Sequence, residues 1–416
     1  MQVNTDDHVL VFNSGSSSLK FQLFETGGEA PVSTLWGVVR HLGDNAVCEW
    51  RYGGRQERTA LSAKDHAAAA RHVLTLLEQT PGMDSSLLDD VAAVGHRIVH
   101  GGDRFFEPTL LTKGTLAALD KMSELAPLHN PPALSVVRSC REQFPDIPMA
   151  GVFDTAFFHA LPEYVCSYAV PARWATGPQP IRRYGFHGLA HRYMAERLSA
   201  AHAAGEAPGR VITLQLGHGC SVAAIRDGSA VETSMGFTPL EGLIMATRPG
   251  DIDAGVLLYL LEQGGVSATE LQDGLNHRAG LLGLSGASAD MQELLALEAQ
   301  GHAGAQLAVE GFCHRARKYL GAYLAVLGGA DAIVFGGGIG EHAATIRARI
   351  CDGMQWCGLH LDDRSNRSAE GEETRISAVD SPVAAYVIAV DEESLVARDT
   401  LRALSPAHTP LKQDSH

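Results

Sequence analysis

Two arginines follow apolar runs in matching settings. Arg97 lies in Gly95-His96-Arg97-Ile98-Val99-His100-Gly101-Gly102, just beyond Val91-Ala92-Ala93-Val94, and Arg248 lies between an apolar segment and Pro249-Gly250-Asp251. A guanidinium so placed either meets an anion through two parallel N–H donors or sits solvated in a surface turn. Asp154 closes the apolar run Met149–Phe153, where a carboxylate either caps a helix or orients an arginine or a metal-bound water. His187 and His191 stand four apart and could face one metal, but no third ligand is near, which favours helix-cap or cleft roles. The turn Asn13-Ser14-Gly15-Ser16-Ser17-Ser18 offers hydroxyls and unshielded N–H groups, with Lys20 at its exit. It suits a phosphate, or it simply joins two strands.

The elements that must position these residues are legible around them. Val9–Phe12 reads as a buried strand, and Leu19, Phe21 and Leu23 alternate with polar residues as a half-buried one, so the serine turn tips a hairpin. The pattern recurs at Arg210–Gly228, where the turn is Gly217-His218-Gly219. A third strand, Ala332–Phe335, runs into Gly336-Gly337-Gly338-Ile339-Gly340 and then a helical AATIRARI. Two similar hairpins half a chain apart predict a duplicated fold with a nucleotide cleft. That arrangement resembles the actin, hexokinase and heat-shock ATPase architecture.

Composition narrows the class. The chain has 416 residues, 45% of them apolar and 19% charged, with 44 glycines, which predicts a globular, loop-rich α/β protein of two domains. A formal charge of −15 argues against a nucleic-acid partner. Seven cysteines without a CxxC pair read as reduced core residues of a cytoplasmic protein. Residues 1–8 are polar and acidic, giving no sign of a secretory signal, and no apolar run reaches the ~18 residues a membrane helix needs. Further strands are expected over Gly37–Arg58, helices over Asp65–Gln79 and Ala133–Gln143, and a broken helical layer from Glu262 to Leu320. Leu361–Thr374 reads as a surface loop, Tyr386–Val390 as the last strand, Asp391 as a helix start and Ser405–His416 as a loose tail.

Read end to end, the chain resembles the acetate kinase family. NSGSSSLK (13–20), HRIVHGG (96–102), PLHNP (127–131), VFDTAFF (152–158) and RRYGFHG (182–188) are similar to its motifs, and MGFTPLEGLIMATRPGDID (235–253), FGGGIGEH (335–342) and DEESLVAR (391–398) continue in family order. The resemblance implies two actin-like, ribonuclease H-like domains, 1–155 with 391–416 and 156–390, the second carrying the adenosine pocket and a homodimer surface. It implies transfer of the ATP γ-phosphoryl group to acetate with Mg²⁺ or Mn²⁺, ADP and acetyl phosphate being the products. Propionate as acceptor, or an actin-like binder with weakened catalysis, are the rival readings; Arg97, Arg248, His187 and Asp154 together speak against the binder.

Residue by residue, Arg97 and Arg248 would hold acetate and the transferring group. His187 would donate to the transition state with help from His129, and Asp154 would orient Arg97 and a metal-bound water. Asn13 and Glu392 would place the metal, while Val99, Leu128, Phe186 and Pro239 would surround the methyl group. Ser16, Ser18 and Lys20 would line the phosphate path with Gly217, His218 and Gly219; Asp290, Gln292, Gly338, Ile339 and His342 would border the nucleoside. Three positions depart from the family pattern. Gln215-Leu216-Gly217-His218-Gly219 stands where His-Leu-Gly-Asn-Gly is usual, Gln292 replaces an arginine and His342 an asparagine. All three fall on the nucleotide side.

Overall fold

The computed structural model describes residues 7–28, 30–79, 87–123, 126–177, 180–202, 206–369 and 373–405. The chain forms two compact units, Met1–Ala156 with Asp391–His416, and Phe157–Val390. From residue 406 onward the expected tail lies outside the described residues.

The first unit is built on eight strands: β1 (His8–Ser14), β2 (Ser18–Glu25), β3 (Val32–Arg40), β4 (Gly43–Tyr52), β5 (Arg55–Ala63), β6 (Val91–Ile98), β7 (Thr109–Leu110) and β8 (Met149–Phe153). Their order is β5-β4-β3-β2-β1-β6-β8-β7. β1 to β5 form an antiparallel meander, while β6 and β8 run parallel to β1. β3, β4 and β5 are longer than the short strands expected from Gly37–Arg58. Gly53 (φ +54°) and Gly54 (φ +79°) explain how β4 and β5 turn in two residues, since both positions need the left-handed backbone that glycine adopts freely. Helices His66–Glu78 and Asn130–Gln143 share a core with Val94 and Ile98 of β6. The next residue, Gly95, faces the opposite side, where a Cβ would press into Thr400 and Val396 of the C-terminal helix Glu392–Leu404.

The second unit holds β9 (Arg210–Leu216), β10 (Cys220–Arg226), β11 (Ser229–Thr233), β12 (Ala332–Gly336), β13 (Thr374–Arg375) and β14 (Ala384–Val387). Their order is β11-β10-β9-β12-β14-β13. β9, β10 and β11 are antiparallel; β12 pairs parallel to β9 and β14 parallel to β12. Each sheet thus contains the same five-strand plan, an antiparallel trio followed by two parallel strands. The long helix Ala303–Leu327 packs on β9 and β10, and Gly188–Ala200 on β9 and β12.

Two expectations are corrected here. Leu361–Thr374 is not all loop: Asp362 caps a helix at Asp363–Ser368 through the Ser365 N–H (2.7 Å), and Arg347 Nε fixes Asn366 Oδ1 at 2.8 Å. Arg97 does not lie beyond its strand but inside β6, opposite Val152 of β8. No helix among the described residues is long and apolar enough to cross a membrane.

Candidate active site

The chemistry-bearing residues collect at the carboxyl ends of the parallel strands, where an open α/β sheet leaves backbone groups and side chains free for ligands. In the first unit Asn13, one residue before the end of β1, is in register with Arg97 of β6, and Asp154 directly follows β8. Arg97 Nε donates to Asp154 Oδ1 (3.0 Å), Nη2 makes a second, short bond to the other oxygen, and Nη1 donates to Asn13 Oδ1 (2.9 Å). Asn13 Nδ2 in turn donates to Glu392 Oε2 (2.9 Å) and Glu393 Oε1 (2.7 Å), and Lys20 Nζ stands 3.3 Å from Glu393. Burial works against the Arg97 charge, but Asp154, Glu392 and Glu393 outweigh it and hold its pKa above the ordinary value. Glu393 is the main cause that raises Lys20. The carboxylates of Asp154, Glu392 and Glu393 thus gather around Arg97 and Lys20.

The serine turn leading into this cluster is fixed from two sides. Gly15 N–H donates to the Ser18 carbonyl (2.9 Å), and His66 Nε2 lies 2.8 Å from the Gly15 carbonyl. Ser16 is exposed at the tip, and Ser18 and Lys20 follow on β2. Val99 is buried just past β6, whereas Leu128 is 43% exposed. His129 occupies the N-cap of helix Asn130–Gln143, and Asn130 clamps both backbone groups of His100 (3.0 and 2.9 Å).

In the second unit, His187 adopts φ +57° at the N-cap of Gly188–Ala200. Its Nδ1 is 2.9 Å from Ser221 Oγ, which is 2.7 Å from His191 Nε2; His191 Nδ1 is 2.7 Å from Thr213 Oγ1. Ser221 thus stands between the two histidine rings, and no group of three His, Cys, Asp or Glu that could hold a metal exists among the described residues. Arg248 Nη1 donates to the Pro239 carbonyl (2.8 Å), and no salt bridge to Arg248 exists among the described residues. A Cβ added at Gly219 would stand 2.8 Å from Arg248 Nη2 and 3.1 Å from the His187 ring, so the glycine lets the hairpin tip touch both. Burial lowers the Arg248 pKa. Burial, then the nearby Arg248 charge, lowers that of His218.

A cavity of about 520 Å³ opens beside this group, lined by Gly217, His218, Asp290, Gln292, Gly338, Ile339 and His342 among others. Gly337 (φ +74°) turns the chain there against the Leu216 carbonyl, and a Cβ at Gly338 would meet open space. Asp290 caps helix Met291–Ala299 through the Glu293 N–H, and Gln292 beside it is exposed. The nucleoside set therefore shares one cavity. The four residues expected around a methyl group are divided, Val99 and Leu128 in the first unit, Phe186 and Pro239 in the second. Sequence reading missed Thr213 and Glu393, and it put Ser221 in the glycine turn with Gly217 and Gly219, whereas Ser221 lies on β10. The paired Glu392-Glu393 was the one available signal, since the acid continuing a helix's first turn can reach the sheet beneath it.

The repeated sheet plan, with glycine turns at the strand ends, defines a chain of the actin-like class. Residues 8–398 match the model of the acetokinase family. An acetate kinase of Solibacter usitatus is 44% identical over 95% of this chain and 98% of its own length. The solved acetate kinase of Porphyromonas gingivalis is similar with TM-score 0.86 and 37% identity, covering 96% of this chain and 100% of that one. A propionate kinase of Francisella tularensis gives TM-score 0.86 at 35% identity over 95% and 99%. The chain belongs to the acetokinase family.

Proposed function

We propose that the chain is an acetate kinase, moving the γ-phosphoryl group of ATP reversibly to acetate. The observation that carries this reading is Arg248: a half-buried guanidinium without a carboxylate partner among the described residues, set against His187 beside a glycine-lined cavity. Phosphoryl transfer passes through a loose transition state with charge on its equatorial oxygens, so the protein's work is alignment and positive charge. Arg248 and His187 supply donors to that charge, and the Ser221–His191–Thr213 chain keeps the His187 ring oriented. Arg97, held rigid by Asp154 and Asn13, presents its fixed charge to the acceptor carboxylate. The adenosine occupies the cavity of Gln292, Gly338 and Ile339.

Carboxylate and amide oxygens are the hard donors that a divalent cation such as Mg²⁺ or Mn²⁺ takes, and Glu392 and Asn13, bonded to each other, are the residues that would hold it. The chemistry such an ion would supply is neutralisation of phosphate charge. Seven unpaired cysteines support a reducing, cytoplasmic setting.

Helix Ala254–Glu262 has no buried residue although it exposes Val256, Leu258, Tyr259 and Leu261. A face this apolar supports a homodimer. Leu258→Glu should shift the sedimenting species toward monomer, and an unshifted dimer would refute that face.

The deciding assay is acetyl phosphate formation with ATP, GTP and pyrophosphate in parallel, on acetate and propionate. No product with any donor refutes the kinase reading. The likeness to a propionate kinase, at the same TM-score of 0.86 and 35% identity, keeps the longer acid as the second reading, and a preference for propionate in this assay would establish it.

A further inference from the structure

We propose that Tyr168, Arg183 and Glu241 are positioning residues for Arg248, acting through the loop whose Pro239 carbonyl holds that guanidinium; the inference rests on the kinase reading above. The connection runs through a short set of bonds within the second unit. Arg183 Nη2 donates to Glu241 Oε1 (2.6 Å), and Arg183 Nη1 donates to the carbonyls of Thr233 (3.2 Å) and Met235 (3.0 Å). The Tyr168 hydroxyl makes a short bond to Glu241 Oε2 and accepts the Phe237 N–H at 2.8 Å. The backbone from 233 to 241 is thus pinned at both ends, with Pro239 between.

Three further features show that this loop has little freedom. A Cβ at Gly236 would collide with both the Glu241 carboxylate and the Tyr168 hydroxyl, so the turn closes directly on the network. Gly242 N–H donates to Asp251 Oδ1 (3.0 Å), Asp251 N–H donates to the Gly242 carbonyl (3.0 Å), and the Tyr319 hydroxyl holds Asp251 (2.9 Å). Residues 242–251, including Arg248, therefore form a loop closed at its neck. Burial and Glu241 raise the Tyr168 pKa, keeping its hydroxyl a donor. Neither Tyr168 nor Glu241 lines the cavity given to adenosine, so they can act on the reaction without touching the nucleotide.

The sequence gives little hint of this arrangement, because Tyr168 and Glu241 are 73 positions apart. What the network fixes is the position of one cation against His187 and Gly219. Misplacing a transition-state donor by a fraction of an ångström lowers the rate while leaving nucleotide binding alone.

Tyr168→Phe and Glu241→Gln should each lower kcat by about tenfold or more with the KM for ATP little changed. On an Arg248→Ala background, Glu241→Gln should cost nothing further, because its effect passes through the missing side chain. Full multiplication of the two losses, or an unchanged kcat with only a lower Tm, would overturn the proposal. A crystal structure of Tyr168→Phe gives a second measure that needs no activity. Loss of the bond between Arg248 and Pro239 is expected, and its retention at 2.8 Å would count against positioning. Wild type inert toward both acids would defeat the kinase reading and leave that structural test standing.

Discussion

Arg97, on a strand of the first unit, spends its donors on Asp154 and Asn13 with Glu392 nearby, whereas Arg248, on a closed loop of the second, gives one N–H to a carbonyl and none to a carboxylate among the described residues. The same side chain therefore serves two purposes. A guanidinium locked by two-point contact with a buried acid is held in one orientation and presents a fixed, partly cancelled charge. One held only by a neutral acceptor keeps its charge available for an arriving anion.

Removing each arginine tests that contrast most strongly. Arg97→Ala and Arg248→Ala should both lower kcat by at least ~100-fold, the scale of losing a transition-state donor. Only Arg97→Ala should also destabilise the fold, by about 3 kcal/mol, because it takes the two-point guanidinium contact away from the buried Asp154 carboxylate. Thermal and denaturant unfolding of both variants decides it; equal losses of stability would break the comparison.

The histidines repeat the contrast on a smaller scale. His191 has both ring nitrogens bonded, while His96 is buried against Phe12 with no partner for Nε2. Burial, with a lesser effect from Arg141, pushes the His96 pKa down from 6.5 to about 3. The unfolded chain then takes up a proton that the folded one refuses, so this contribution is full above pH 6.5 and lost as pH falls toward 3. It should amount to about 2 kcal/mol by about pH 5. His96→Leu should flatten the acid limb of the stability profile, and an unchanged limb would show that another group sets it.

Val99 sharpens the acyl side. If it bounds the methyl pocket, wild type should favour acetate over propionate by about tenfold, and Val99→Ala should narrow that ratio by improving propionate. An unmoved ratio would return Val99 to the ordinary core of its unit. The smallest effect is expected at His218, where His218→Asn should alter the KM for ATP a few-fold and leave that for acetate nearly constant. Equal shifts in both constants would remove this hairpin tip from the nucleotide path.

Much of this contrast could be read from sequence, though not its cause. The repeated hairpins were visible because strand periodicity and glycine turns are local, and the residues quoted for the nucleoside do share one cavity. Arg97 and Arg248 looked alike for the same reason: their flanking residues are similar. What separates them is contact with Asp154, Asn13 and Glu392 on one side and the Pro239 carbonyl on the other, which depends on strand order and loop closure. Ser221 reads as part of the glycine turn because small residues surround it, whereas it sits on β10 with its hydroxyl between two histidines. The helix at Asp363–Ser368 was missed because charged, weakly helical residues are held there by Arg347 and a cap.

The helix Glu392–Leu404 bears on how this chain is made. Its partners on β1, β6 and β8 are synthesised far earlier, and Asn13 reaches Glu392 and Glu393 across 379 and 380 positions. At roughly 5–20 residues per second, the first hairpin emerges from the ribosome about 20–80 s before the acids that complete its cluster. Throughout that interval one face of the first sheet lacks its covering helix, and Arg97 lacks part of its surroundings. The second unit, continuous from Phe157 to Val390, is finished before the first. Maturation of the earliest strands is thereby timed to the last stretch of translation.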